Sequence, residues 1–156
     1  MFIVSSPPLP MPLKAVLLTL LLFTLSGCSH TTLEDQFNGI EVCGLKNIYL
    51  DQVTNTPTGA YFTERGLKPC RIDEVAFYCL SDTFYGLPVN EVAIPYLGPF
   101  SVHAIYFRAS PATVKSVLQA KRGGIVLNNS DGRSPKLIDN PKQKGQSVLY
   151  CDKYSE

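Results

Sequence analysis

The sequence contains no tryptophan and only two histidines, and its net charge is a single positive unit in 156 residues. It has no G-x-S-x-G nucleophile elbow, no P-loop, no G-x-G-x-x-G fingerprint and no C-x-x-C pair. These gaps exclude the motif-bearing serine hydrolases, nucleotide binders and thiol oxidoreductases. A near-neutral chain without a recognition motif gives nucleic acid no electrostatic footprint, so none is expected as a partner. His103 is the only histidine beyond the N-terminal region. Set between apolar neighbours in SVHAIYFR, it reads as a satisfied core or interface residue rather than a catalytic base. The acidic residues include no pair that sequence alone can bring to the separation glycoside hydrolysis requires. The segment NNSDG (128–132) has oxygen ligands but lacks the spacing and closing glutamate of a Ca²⁺ loop. No enzyme activity, cofactor or metal is therefore expected.

What is present begins with Ala15–Leu25, an apolar stretch of eleven residues preceded by Lys14. A transmembrane helix needs about 20 apolar residues, so this stretch reads instead as the hydrophobic region of an export signal. Translation from Met11 would place the basic residue close to a compact start. The stretch ends in Leu25-Ser26-Gly27-Cys28, which resembles the lipobox of bacterial lipoproteins: an aliphatic residue, a small one, Gly or Ala, then Cys. The resemblance covers four residues and implies removal of residues 1–27 and lipidation of Cys28. Each buried methylene of an acyl chain contributes roughly 0.8 kcal/mol, so two or more chains anchor stably. It further implies sorting by the next residue. Ser29, where Asp would favour the inner membrane, points to a lipid-anchored outer-membrane protein facing the periplasm. The polar residues after it, read as 28–37, suit a tether, leaving 38–156 as one periplasmic domain. That length supports one core, and eight Tyr and eight Phe supply bulk for it.

Four cysteines remain after Cys28: Cys43, Cys70, Cys79 and Cys151. An even number in an oxidising compartment reads as two disulfides. Three pairings are possible. Cys43–Cys70 with Cys79–Cys151 is favoured, because Cys79 and Cys151 both follow apolar-aromatic stretches, VAFYC and SVLYC, that suit neighbouring strands. On the chain-entropy picture these two loops would contribute roughly 3.6 and 4.4 kcal/mol. Their spacings match no zinc pattern.

Hydropathy and turn residues outline an α+β domain, a mostly antiparallel sheet with one main helix on a face. Strands are expected within Ile40–Leu50 (GLKNIYL), over Asp73–Leu80, Glu91–Pro95 and Ser101–Arg108, then over Ile125–Leu127, Pro135–Ile138 and Gln146–Tyr150. Ser81–Asn90, with Gly86 and Pro88, is expected to turn. Ser110-Pro111 signals a helix start. Val114, Val117, Leu118 and the stem of Lys121 make its apolar stripe, and Gly123 or Gly124 a left-handed cap. Ser101–Arg108 is apolar on both faces and is placed centrally.

The mature chain is neutral but uneven. Cys28–Phe107 carries 4 basic and 9 acidic residues, and Arg108–Glu156 carries 9 basic and 4 acidic. Such asymmetry either pairs the halves, solvates separate faces or steers a charged partner. The Tyr-, Pro- and Gly-rich segment Thr83–Pro99 offers Tyr85 and Tyr96 as binding candidates. The basic loop near Asn140–Gly145 offers Lys142 and Lys144. The composition points to a non-enzymatic protein-binding lipoprotein, either an envelope assembly partner or a toxin-neutralising, immunity-type protein. A small wall hydrolase and a peptidoglycan-binding lipoprotein are the alternatives.

Overall fold

The computed structural model describes residues 30–96, 100–121, 124–130 and 132–154. The expected signal and Cys28 lie outside the described residues. Among the described residues no helix is long and apolar enough to cross a membrane.

Among the described residues three α-helices and six strands follow in order, with a 3-10 turn (Ile40–Val42) after the first: α1 (Leu33–Gln36), α2 (Ala60–Glu64), β1 (Arg71–Ile72), β2 (Val75–Phe84), β3 (Leu87–Pro95), β4 (Phe100–Phe107), α3 (Pro111–Ala120), β5 (Lys136–Asp139) and β6 (Ser147–Tyr154). The strands form one antiparallel sheet in the order β1-β2-β3-β4-β6-β5. The α+β expectation holds, with β4 in the interior of the sheet. Two one-turn helices join α3, so the architecture is broader than a sheet with one helix.

The two faces of the sheet differ. One is the core: Tyr78 and Phe84 of β2, Val92 and Ile94 of β3, Ile105 and Phe107 of β4 and Leu149 of β6 pack with Val114 and Leu118 of α3. Leu33, Phe37, Ile40, Tyr61 and Phe62 from the N-terminal segment complete it. Burying each such side chain contributes roughly 1.5–3 kcal/mol. The opposite face carries a smaller cluster, Phe77, Ala93, Ala104 and Val148, flanked by Tyr106 and Tyr150.

The helix starts as its sequence demands. Ser110 Oγ accepts from Thr113 N (3.3 Å), and Pro111 fills the first turn, where no N–H is needed. Val117 is half-buried beside Val114 and Leu118. The Lys121 ammonium, however, sits 4.8 Å from the centre of the Tyr85 ring.

Several expectations are corrected. The tether expected through residue 37 is shorter, because Leu33, Gln36 and Phe37 are buried and Thr32 caps α1 with a reciprocal Asp35 box. GLKNIYL is not a strand. Cys43 and Asn47 take positive φ, which breaks the extended run, although Ile48 and Leu50 stay buried and Leu50 bridges Pro57. Ser81–Asn90 is mostly strand: the turn narrows to Tyr85-Gly86, both at positive φ, with Phe84 opposite Leu87. This is a two-residue hairpin whose second position glycine occupies without strain. Ile125–Leu127 is not a strand. Ile125 instead donates its N–H to Leu118 O, closing the end of α3.

All four cysteines are disulfide-bonded, but in the pairing Cys43–Cys151 and Cys70–Cys79. The favoured Cys79–Cys151 bond is geometrically closed. β2 and β6 are three ladder steps apart, about 14 Å, and a disulfide spans at most about 6.8 Å between Cα atoms. Cys79 is also exposed, whereas Cys151 is buried in the core cluster.

Candidate functional site

His103 is a satisfied core residue, as its apolar neighbours imply. Its ring is 4% exposed and its Nε2 lies 2.9 Å from Ile48 O. Burial holds its pKa below the usual histidine range. Several carboxylates have structural work. Glu41 accepts from Gly39 N, Glu64 from Thr31, and Asp82 from the Tyr61 hydroxyl at 2.6 Å. Burial, then that same bond, pushes the Tyr61 phenol well above its ordinary range. Cys70, Cys79 and Glu91 gather their ligand atoms within 4.8 Å, but the disulfide leaves no thiolate to hold a metal.

Two surface features remain. The first is a turn between Leu50 and Pro57. The Asp51 carboxylate accepts from Val53 N (3.0 Å), Thr54 N (2.7 Å) and Thr54 Oγ1 (2.9 Å). The Thr54 N–H bond is the main reason its pKa is lowered. Asn55, at positive φ, donates its N–H to Asp51 O, and Asp51 N donates to Thr56 O. Gln52 Nε2 ties the turn to Tyr96 O at 2.6 Å. The result is a fixed loop that leaves Val53 92% exposed. Val53, Tyr49 and Tyr96 border a groove of about 320 Å³ floored by Leu50 and Pro95. The signal for it was present as TNTPTG, but the sequence did not show that Tyr49 and Tyr96 would flank it.

The second is a cleft of about 290 Å³ on the sheet face opposite the main core. The register aligns a row across all six strands: Arg71, Phe77, Ala93, Ala104, Tyr150 and Lys136. The two alanines form a low centre between aromatic ridges. The Arg71 guanidinium lies 3.3 Å from the Phe77 ring centre and 3.6 Å from Glu91. Next to this row, Tyr106 stands between Glu91 and Val148 in the register. Burial, reinforced by Glu91, raises the Tyr106 pKa and keeps its phenol a donor. Asn90, Asn140, Lys142 and Gln143 close the cleft. Asn140 Oδ1 fixes the 140–146 loop by accepting from Lys142 N.

The four candidate binding residues do not converge. Tyr85 and Tyr96 stand at opposite ends of β3, whose nine residues span on the order of 30 Å. Tyr85 packs on Phe84, and its N–H is held by Glu34. It is half-buried and serves the hairpin. Lys142 enters the second cleft, while Lys144 is exposed outside it. Arg71–Glu91 and Lys136–Asp152 each pair residues of the same half of the chain, so these contacts do not cancel the charge asymmetry. Comparison with protein families, curated proteins and solved structures found no match to this chain.

Proposed function

We propose that this protein is a membrane-anchored, periplasm-facing lipoprotein that binds a protein partner of the cell envelope without chemical turnover. The observation that carries this reading is the locked turn presenting Val53 at a groove that Tyr49 and Tyr96 also line. Burying a valine side chain contributes roughly 1.5–3 kcal/mol. A chain that fixes one in water with three bonds to one carboxylate has already lost the entropy that a partner would otherwise have to overcome. Flanking tyrosines suit an interface, each being a rigid apolar body with a polar tip. The anchor rests on Leu25-Ser26-Gly27-Cys28, and two disulfides suit an oxidising compartment.

The wall-hydrolase alternative gains nothing from the geometry. The turn groove is lined by one carboxylate, Asp51, and the sheet cleft by one, Glu91, where glycoside cleavage needs two.

The test is cross-linking in intact cells with a C-terminal tag, followed by mass spectrometry. Wild type captures one abundant envelope protein. Val53→Asp and Tyr96→Ala each lose it while keeping the wild-type melting temperature, and Cys28→Ala loses it through loss of the anchor. Undiminished capture by Val53→Asp would overturn the turn as the contact site.

A further inference from the structure

The sheet cleft is separate from the turn. Asn90 and Pro95, which mark the two along β3, are five residues apart, roughly 17 Å. Its lining combines one aromatic, three carboxamides, one acid, two bases and the disulfide-bonded Cys79. Asn140 is 8% exposed and spends its Oδ1 on the loop, which leaves its Nδ2 for a ligand. Asn90 donates its Nδ2 to Gln146 Oε1 at 3.4 Å, while its Oδ1 is buried with no hydrogen-bond partner in the protein. A buried amide oxygen left unpaired costs about 1–3 kcal/mol, a cost that a turn of the Asn90 amide towards a ligand donor in the cleft would relieve. Glu91 and Arg71 neutralise each other, and Lys142 is left as the cation that sets the net charge of the cleft at +1.

We infer that this cleft binds a single ring of an acidic, N-acetylated amino sugar. The carboxamides match the acetamido group and hydroxyls: Asn140 offers its Nδ2 as donor, Asn90 its Oδ1 as acceptor, and Gln143 both. Tyr106 supplies the apolar surface for a ring face and a phenolic donor. Lys142 takes the carboxylate. At about 290 Å³ the cleft lies at the lower end of ligand sites, which fits one ring rather than a chain. The chemistry is read from the cleft alone; the cell wall as the source of such a sugar rests on the envelope address proposed above.

Ligand-observed saturation-transfer NMR on the full lipidated chain in phosphocholine micelles tests the inference. The probes are N-acetylmuramic acid, N-acetylglucosamine, glucose and an Ala-Glu dipeptide. N-acetylmuramic acid binds best, N-acetylglucosamine less well, and glucose and the dipeptide give no saturation. Lys142→Glu weakens the acidic sugar about tenfold and the neutral one little. Gln143→Ala weakens both. Both substitutions lie on an exposed loop, and an unchanged melting temperature confirms the fold. Val53→Asp leaves all sugar binding intact, so failure of the turn and failure of the cleft give different results. Absence of amino-sugar binding, equal binding of glucose, binding of the dipeptide in place of sugar, or indifference to Lys142→Glu would each overturn the inference.

Discussion

The two disulfides do opposite jobs. Cys43–Cys151 joins residues 108 positions apart, and both sulfurs lie in the core. It fastens the irregular N-terminal segment onto the inner face of β6, so that the segment bearing Leu33, Phe37 and Ile40 cannot lift away. Cys70–Cys79 joins residues nine positions apart, and both are exposed. It clips the two-residue β1 to the edge of β2, beside the sheet cleft. On the chain-entropy picture the long loop contributes about 4.8 kcal/mol and the short one about 2.6. A crosslink thus holds most where the chain has least regular hydrogen bonding of its own and the longest loop to close.

The largest expected effect comes from removing the buried bond. Cys43→Ala with Cys151→Ala should cost about 4–5 kcal/mol and leave a core gap besides. Chemical denaturation should show the fold barely held at 25 °C. A loss no larger than that of the exposed pair would break the comparison. Cys70→Ala with Cys79→Ala should cost about 2–3 kcal/mol and retain the fold, with a lower melting temperature as the readout. In the wild type, mild reductant followed by alkylation and peptide mass spectrometry should label Cys70 and Cys79 well before Cys43 and Cys151, because attack on a disulfide needs access. Simultaneous labelling would mean that the core opens as easily as the edge.

The smallest effect is a pH dependence beside the buried bond, since His103 pairs with Cys151 in the β4–β6 register. Burial lowers the His103 pKa in the folded chain, so the unfolded chain takes up the proton first. The stability gained from a neutral imidazole is complete above about pH 6.5 and is lost as pH falls from there towards the folded-state pKa. Melting temperatures at pH 7.5 and 5.5 should differ in the wild type, and the difference should shrink in His103→Gln. An unchanged difference would assign the effect to other groups.

Much of the sheet could be read directly from the chain. The apolar-aromatic runs VAFYCL and SVHAIYF, the Ser110-Pro111 start and the Val114–Leu118 stripe each carry their own physics, and each appears where expected. Other parts could not be read. β1 has two residues, too few for a periodic signal, yet it is what brings Cys70 to Cys79. α2 has five, and it depends on a distant partner: Gln36 Oε1 accepts from Tyr61 N. Gly59 sits so close to Gln36 that a Cβ there would meet it at 2.5 Å. Of the binding candidates, Tyr96 and Lys142 border clefts, but their companions Tyr49, Asn90, Tyr106 and Asn140 come from other elements and have no motif.

By itself the sequence determined the class of fold, the main strands and helix, the participation of four cysteines in disulfides and the proposed export address. Those properties depend on neighbours within a few residues, on composition, or on a short recognition motif. The tertiary structure alone decided which cysteines meet, that the N-terminal segment belongs to the core, and that five separate segments supply the lining of the amide-bearing cleft. Strand order and register set those distances, and both arise from the packing of the whole chain rather than from any local stretch of it.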